Sequence, residues 1–331
     1  MTRRQLKVSV ESWPIAGTFR ISRGGRTEAR VVVAQIEERG VTGRGECVPY
    51  ARYGETVEGV AAQIQNMAGE ISEGASRADL LTLMPAGAAR NAMDCALWDL
   101  EAKLAGERVW SMAGVPAPEA VTTAFTLSLD TPAAMAAAAA KAAARPILKV
   151  KVGGDGDPDR IAAVRRAAPR AMLIADANEA WDEASLEANF AACQAADVKL
   201  IEQPLPAGQD HILAEIGSIR RGIPVCADES LHTGSDLPYI ANLYQGINIK
   251  LDKAGGLTAS LELLVAGREL GLAIMAGCMV GTSLAMAPAL LIAAQADFTD
   301  LDGPLLLARD REPGLIFEGS VIRPFGADLW G

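Results

Sequence analysis

Residues 147–178 read ILKVKVGGDGDPDRIAAVRRAAPRAMLIADAN. A short apolar run of strand character closes on Lys151, a Gly-rich loop and a helical segment follow, and a second apolar run closes on Asp176. The unit then recurs. LIEQP brings Glu202 26 residues after Asp176, and VCADES brings Asp228 26 residues after Glu202. Lys151 precedes Asp176 by 25 residues, and Lys250 in INIKLDK follows Asp228 by 22. About 25 residues hold one strand, one helix and two short loops, and strand ends at that period belong to a barrel of parallel strands opening onto one rim.

Outward from this core, TTAFTLSL at 122–129 supplies a strand before it, and LAIMAG at 272–277 and FTDLD at 298–302 supply two after it. With ILKVKV, AMLIADA, VKLIEQ, IPVCAD and GINIK they make eight, enough to close a barrel. After Asp302 no convincing eighth helix follows. The first 110 or so residues lack this rhythm: LKVSVE, ARVVVAQIEE and VTGRGECVPY read as strands, and 57–73 and 86–105 as helices, which implies a separate α+β domain. The expected fold class is therefore α/β, a barrel of eight parallel strands over 116–305. A smaller N-terminal α+β domain covers 1–115, and a C-terminal segment, 306–331, returns to it.

With 331 residues, half of them apolar, the chain can bury a large core. A net charge of −10 argues against a nucleic-acid partner. The N-terminus has no apolar stretch behind its basic residues, and no run approaches a membrane span, so a cytoplasmic location without membrane partners is expected. Five scattered cysteines without a CxxC pair read as reduced core thiols. Cys278 could lie near the rim, but neither histidine sits in a nucleophile–base motif.

Three carboxylates without His or Cys describe a hard-cation site that suits Mg²⁺: Asp176, Glu202 and Asp228. With 41 acidic residues in 331, three chosen strand ends would all be acidic by chance roughly 0.2% of the time, so coincidence is a poor account. Lys149 and Lys151 lie two apart on a strand and share a face. Mutual repulsion, and a nearby cation, would lower the pKa of at least one and make it a base; a structural pair neutralising the acids is the alternative. Lys250 favours the first reading, since it lies four strands from Lys151 in a ring of eight, across the mouth. Two facing amines can take a proton from one side of a carbon acid and return one to the other. Lys253 falls beyond the strand, where a lysine is expected to face solvent.

Asp300 and Asp302 share a face and suit a cationic group such as an α-ammonium, or are solvated loop acids. Arg20, Arg23, Gly24, Gly25 and Arg26 read as a flexible basic loop suited to a carboxylate or simply solvated. His232 follows the Asp228-Glu229-Ser230 run and, like His211, reads as incidental. Gly255-Gly256 lack phosphate-loop spacing but could offer backbone N–H groups to an anion.

In this order, LKVKV, DANEAW, IEQPL, ADES and NIKLDKAGG resemble the muconate-lactonising branch of the enolase superfamily. PAGAARNAMDCALWDLEAK and RYGE at 52–55 resemble its capping domain, and NIKLDKAGGLT with TDLDGP at 299–304 is most similar to the dipeptide epimerases, in particular those acting on L-Ala-D/L-Glu. The resemblance runs along nearly the whole chain. It implies a modified TIM barrel (β/α)7β under the N-terminal α+β domain as a capping domain, Mg²⁺ on Asp176, Glu202 and Asp228, acid/base catalysis by Lys151 and Lys250 through a metal-stabilised enediolate, and support of Lys151 by Lys149. It also implies a small-molecule dipeptide held by Asp300 and Asp302 at its ammonium, with Thr126 and Arg26 completing the substrate-binding set, and a role in recycling cell-wall peptide. Asp252 departs from relatives that have Met there. The same branch contains o-succinylbenzoate synthase, cycloisomerases and N-acylamino acid racemases, whose substrates lack a free ammonium. The sequence permits a homo-oligomer without requiring one.

Overall fold

The computed structural model describes residues 3–217 and 222–331. An antiparallel sheet opens the chain: β1 (Gln5–Ile21), β2 (Gly24–Glu38) and β3 (Val41–Cys47), in the order β1-β2-β3. β1 runs ten residues past the LKVSVE run expected from sequence. Pro14 interrupts the reading but not the strand, because β1 is an edge, where a residue without an N–H is tolerated. Pairing breaks between Pro14 and Phe19 and resumes as Phe19↔Arg26, Arg20↔Gly25 and Ile21↔Gly24. The basic loop expected around Arg20–Arg26 is thus a hairpin tip with a two-residue turn, Ser22-Arg23.

The helix Ala88–Ala105 lies directly on the backbone of β3. Gly43 and Gly45 permit this approach, since a Cβ on Gly45 would stand 2.1 Å from the Ala92 carbonyl oxygen. Apolar residues of β2, this helix and the helices Val57–Asn66 and Arg77–Leu83 form the core of the N-terminal part.

A short β4 (Val121–Thr122) precedes eight parallel strands: β5 (Phe125–Leu127), β6 (Ile147–Lys151), β7 (Met172–Asp176), β8 (Val198–Glu202), β9 (Val225–Ala227), β10 (Gly246–Ile249), β11 (Ala273–Gly277) and β12 (Phe298–Asp300). They pair in sequence order, and the Ala124 N–H donates to Thr299 O at 2.8 Å where the ends of the sheet meet. Full helices follow β5, β6, β7, β10 and β11. Among the described residues, only short turns of helix, Asp210–Ala214 and Leu237–Ile240, follow β8 and β9. One turn, Gly303–Leu306, follows β12.

Side-chain alternation builds the site. Ile174, Leu200, Cys226 and Met275, with Ile147 and Phe298, pack together inside the ring. Two residues on, the same faces carry Lys149, Asp176, Glu202, Asp228, Gly277 and Asp300, so an apolar floor passes into a charged rim.

The chain end forms a small sheet of β13 (Phe317–Glu318), β14 (Val321–Ile322) and β4. Its last residues then dock on the N-terminal part. Trp330 Nε1 donates to Cys95 O at 3.1 Å and the Gly331 N–H to Asp99 Oδ1 at 2.6 Å. Among the described residues no helix is long and apolar enough to cross a membrane.

Candidate active site

A cavity lies between the barrel mouth and the β1–β2 hairpin. Lys151, Lys250, Asp228, Glu229 and Asn178 form its barrel side; Ile15, Phe19, Val48, Met279 and Val280 give it apolar walls. Lys151 comes from β6 and Lys250 from the end of β10, four strands apart in the ring, so their side chains enter one cavity from opposite walls.

Every amine at the rim carries a carboxylate partner. Lys151 Nζ donates to Asp176 Oδ2 at 2.5 Å and Lys250 Nζ to Asp228 Oδ2 at 2.6 Å. Lys149 Nζ sits among three acids: Asp300 Oδ2 at 2.6 Å, Glu202 Oε2 at 2.7 Å and Asp176 Oδ2 at 2.9 Å. Burial opposes the charge on Lys149, yet Asp176, Asp300 and Glu202 outweigh it and hold its pKa well above the usual lysine value. The lysine repulsion expected from sequence is therefore not what governs Lys149. Lys250 is likewise raised, against its burial, by Asp228 and Glu202. Burial would raise Asp176 and Asp228, but the amines beside them hold both below the usual range. Glu202 goes the other way, pushed up to about 7 by burial and the neighbouring Asp176.

Asp176, Glu202 and Asp228 are all buried and converge on this rim. Among the described residues they form no ready three-ligand cage, because the Lys149 ammonium lies between Asp176 and Glu202. Oxygens without a hydrogen-bond donor nevertheless gather here: Glu202 Oε2, Glu229 Oε2, Asp300 Oδ1, Asn178 Oδ1 and Asn248 Oδ1. The 2.7 Å approach of Lys149 to Glu202 Oε2 is an ion pair without hydrogen-bond geometry. Buried, undersaturated hard oxygens with no His or Cys among them fit a Mg²⁺-type cation.

Asp300 and Asp302 are buried, which disposes of the solvated-acid alternative. Asp302 Oδ2 accepts the Thr126 N–H at 2.6 Å, and burial together with Asp300 pushes its pKa up to about 7. Arg26 lines the cavity with its guanidinium 5.2 Å over the Tyr50 ring. Cys278 lines the same cavity; burial, Asp300 and Asp302 raise its thiol, so it is a poor nucleophile.

Two further sequence expectations are corrected. Lys253 does not face solvent: Lys250 caps the short helix Leu251–Ala254, and one turn later Lys253 comes back inward. Lys253 Nζ donates to Asp228 Oδ1 at 2.6 Å and to Asp228 O at 2.5 Å, and it does not line the cavity. Gly255 and Gly256 offer nothing to an anion, because both N–H groups donate to Leu251 O. Gln203 and Asn178 escaped the sequence reading. Gln203 Oε1 accepts the Asp228 and Ser230 N–H groups, and the Asn178 N–H donates to Asp176 Oδ1 at 3.0 Å. Both have left-handed backbones, at φ 35° and 45°, and each directly follows a strand-end acid or lies two beyond it. That position was the available signal. His232 packs edge-on against Tyr53 outside the cavity, and His211 lies in the turn Asp210–Ala214.

Residues 3–114 match the sequence family "Mandelate racemase / muconate lactonizing enzyme, N-terminal domain", and residues 133–312 match "Enolase C-terminal domain-like". The chain belongs to the mandelate racemase / muconate lactonizing enzyme family. Within that family it is similar to the L-Ala-D/L-Glu epimerase of Escherichia coli strain K12, 45% identical over 95% of this chain and 98% of that one. It is also similar to the N-acetyl-D-glutamate racemase of a Pseudoalteromonas species, 44% identical over 91% and 95%. An enolase family member from Agrobacterium tumefaciens with homology to dipeptide epimerases, solved with sodium and L-Ala-L-Glu, superposes with a TM-score of 0.96. It is 50% identical over 99% of this chain and 100% of that one. A dipeptide epimerase from Methylococcus capsulatus, solved with Mg and L-Arg-D-Lys, gives 0.90 at 29% identity over 98% of both chains. The enolase-superfamily resemblance and the barrel-plus-cap fold expected from sequence both hold.

Proposed function

We propose that this chain is a Mg²⁺-dependent dipeptide epimerase acting on L-Ala-D/L-Glu, inverting the α-carbon of the C-terminal residue. One observation carries the reading: Lys151 and Lys250 enter a single cavity from opposite walls of the barrel. Asp176, Glu202 and Asp228 would hold the cation. Bound there, it supplies positive charge that stabilises the substrate carboxylate as the α-proton becomes acidic. One lysine takes that proton at Nζ, and the lysine opposite delivers another to the far face. Lys149 bridges Asp176, Glu202 and Asp300 and fixes their spacing. Asp300 Oδ1, buried without a donor, suits the dipeptide ammonium. Asp302 orders β5 through the Thr126 N–H. Arg26, which makes no ion pair among the described residues, is free to grip the glutamate side chain.

A cytoplasmic role in recycling cell-wall peptide goes with this reading, and five unpaired cysteines suit a reducing compartment. The test is ¹H NMR in D₂O with Mg²⁺. The glutamyl α-proton signal of L-Ala-L-Glu should disappear as the L,D-isomer forms; an unchanged spectrum would remove the proposal.

A second reading, racemisation of N-acylated glutamate, is favoured by the 44% identity to the N-acetyl-D-glutamate racemase. Such a substrate has no ammonium for Asp300. Replacing Asp300 and Asp302 together by Asn should cripple dipeptide turnover and spare N-acetylglutamate if both bind; unchanged dipeptide kinetics would favour the racemase.

A further inference from the structure

The tip of the β1–β2 hairpin reaches across the barrel mouth on three residue pairs beyond the register break. On one side it docks beyond β5, where the Leu129 N–H donates to Arg20 O at 2.9 Å and the Arg20 N–H to Ser128 Oγ at 3.3 Å. On the other side, its contacts converge on the two turn residues. Ser22 Oγ donates to Asn178 O at 3.0 Å. Arg23 Nη1 donates to the same carbonyl at 2.9 Å and to Glu179 Oε2 at 3.0 Å. Arg23 Nη2 donates to Tyr50 OH at 3.0 Å and to Glu229 Oε1 at 2.7 Å.

These partners belong to the rim. Asn178 lies two residues past Asp176 and Glu229 one past Asp228, and Asn178 Nδ2 donates to Glu229 Oε1 at 3.2 Å. Asn178 and Glu179 have φ of 45° and 68°, a left-handed turn that Asn enters readily and Glu seldom. The Glu229 side chain is 1% exposed, whereas that of Arg23 is 28% exposed. A fork of N–H groups thus descends from the surface onto a buried carboxylate and the carbonyl of that turn, a geometry that lysine cannot reproduce.

We propose that Arg23 is a positioning residue that latches the cap hairpin to the barrel mouth, setting Phe19 and Arg26 over the cavity. The Phe19 ring centroid stands 6.0 Å from Lys151 Nζ, so the hairpin forms the roof above one of the two amines. Without Arg23, Glu229 loses its charged partner, and the polar contacts left to the tip are those with Ser128, Leu129, Asp130 and, through Ser22, Asn178. The kinetic consequence rests on the epimerase reading, whereas the latch itself does not.

The test uses the full chain carrying Arg23→Gln or Arg23→Lys. In amide hydrogen exchange without substrate, R23Q should speed exchange across 18–27 and 176–180 by about tenfold or more, the factor that 1.4 kcal/mol represents. R23K should fall between, and exchange in 32–38 should stay as in the parent. Unchanged exchange at the tip overturns the latch, as does equal acceleration throughout the cap sheet, which would mean general destabilisation. With L-Ala-L-Glu, R23Q should raise KM about tenfold and leave kcat within about threefold; a fall in kcat at constant KM overturns the positioning role. A parent enzyme inert toward the dipeptide would sink the functional reading alone and leave the exchange test in force.

Discussion

Lys151 and Lys250 are held alike, each with its Nζ on one carboxylate of the acidic trio, yet the proposed chemistry gives them opposite faces of the substrate. That asymmetry can be measured. Lys250→Ala should slow epimerisation by about 10²–10⁴-fold, while the α-proton of one epimer still exchanges in D₂O through Lys151. Equal exchange of both epimers in the variant would deny the division of labour. These two lysines and the three acids were legible in the sequence because each closes an apolar run at a regular interval. Lys253 was not, since its burial depends on a single helical turn that folds it back under Asp228. Arg23 was illegible for another reason. Its partners Asn178, Glu179 and Glu229 lie 155, 156 and 206 residues away, a distance no local pattern encodes.

Strand alternation turns an apolar floor into a charged rim, so one misplaced side chain on a barrel strand reaches the site. Gly277 at the end of β11 is the tightest such position. A Cβ there would stand 2.2 Å from Asn248 Oδ1, and Asn248 Nδ2 donates to Glu202 Oε1 at 2.8 Å. Gly277→Ala should therefore push Asn248 aside and strip Glu202 of its donor, costing about 1–3 kcal/mol in urea unfolding. It should also weaken Mg²⁺ binding by titration calorimetry. A variant matching the parent in both would show that Asn248 has room to retreat. The eight strands themselves were readable, since each is a short apolar run with its period intact. The helices were less so: after β8 and β9 the described chain makes only short turns, and the far half of β1 hid behind Pro14 and Gly17.

Cap and barrel are joined by buried polar contacts, and one of them should make the joint sensitive to pH. Asp252, in the turn after Lys250, accepts the Val48 N–H at 3.0 Å and Asn91 Nδ2 at 2.9 Å, tying both β3 and the helix Ala88–Ala105 to the barrel. Burial is the main cause that pushes its pKa up to about 7, with Glu55 and Glu46 adding to it against the pull of those two donors. A carboxyl whose folded pKa lies above its unfolded value of 3.8 binds its proton more tightly in the native state. Its contribution to stability is thus complete below about pH 4 and is lost as pH rises through about 7. Asp252→Asn cannot ionise and keeps an oxygen for the Val48 N–H. Unfolding free energies from urea titrations at pH 5, 6.5 and 8 should therefore lie nearest the parent's at pH 5, with the gap in the variant's favour widening by an amount on the order of 1–3 kcal/mol by pH 8. A constant difference across the three pH values would show that Asp252 stays ionised at the joint, and that the backbone N–H of Val48 and the amide of Asn91 are enough to hold its charge.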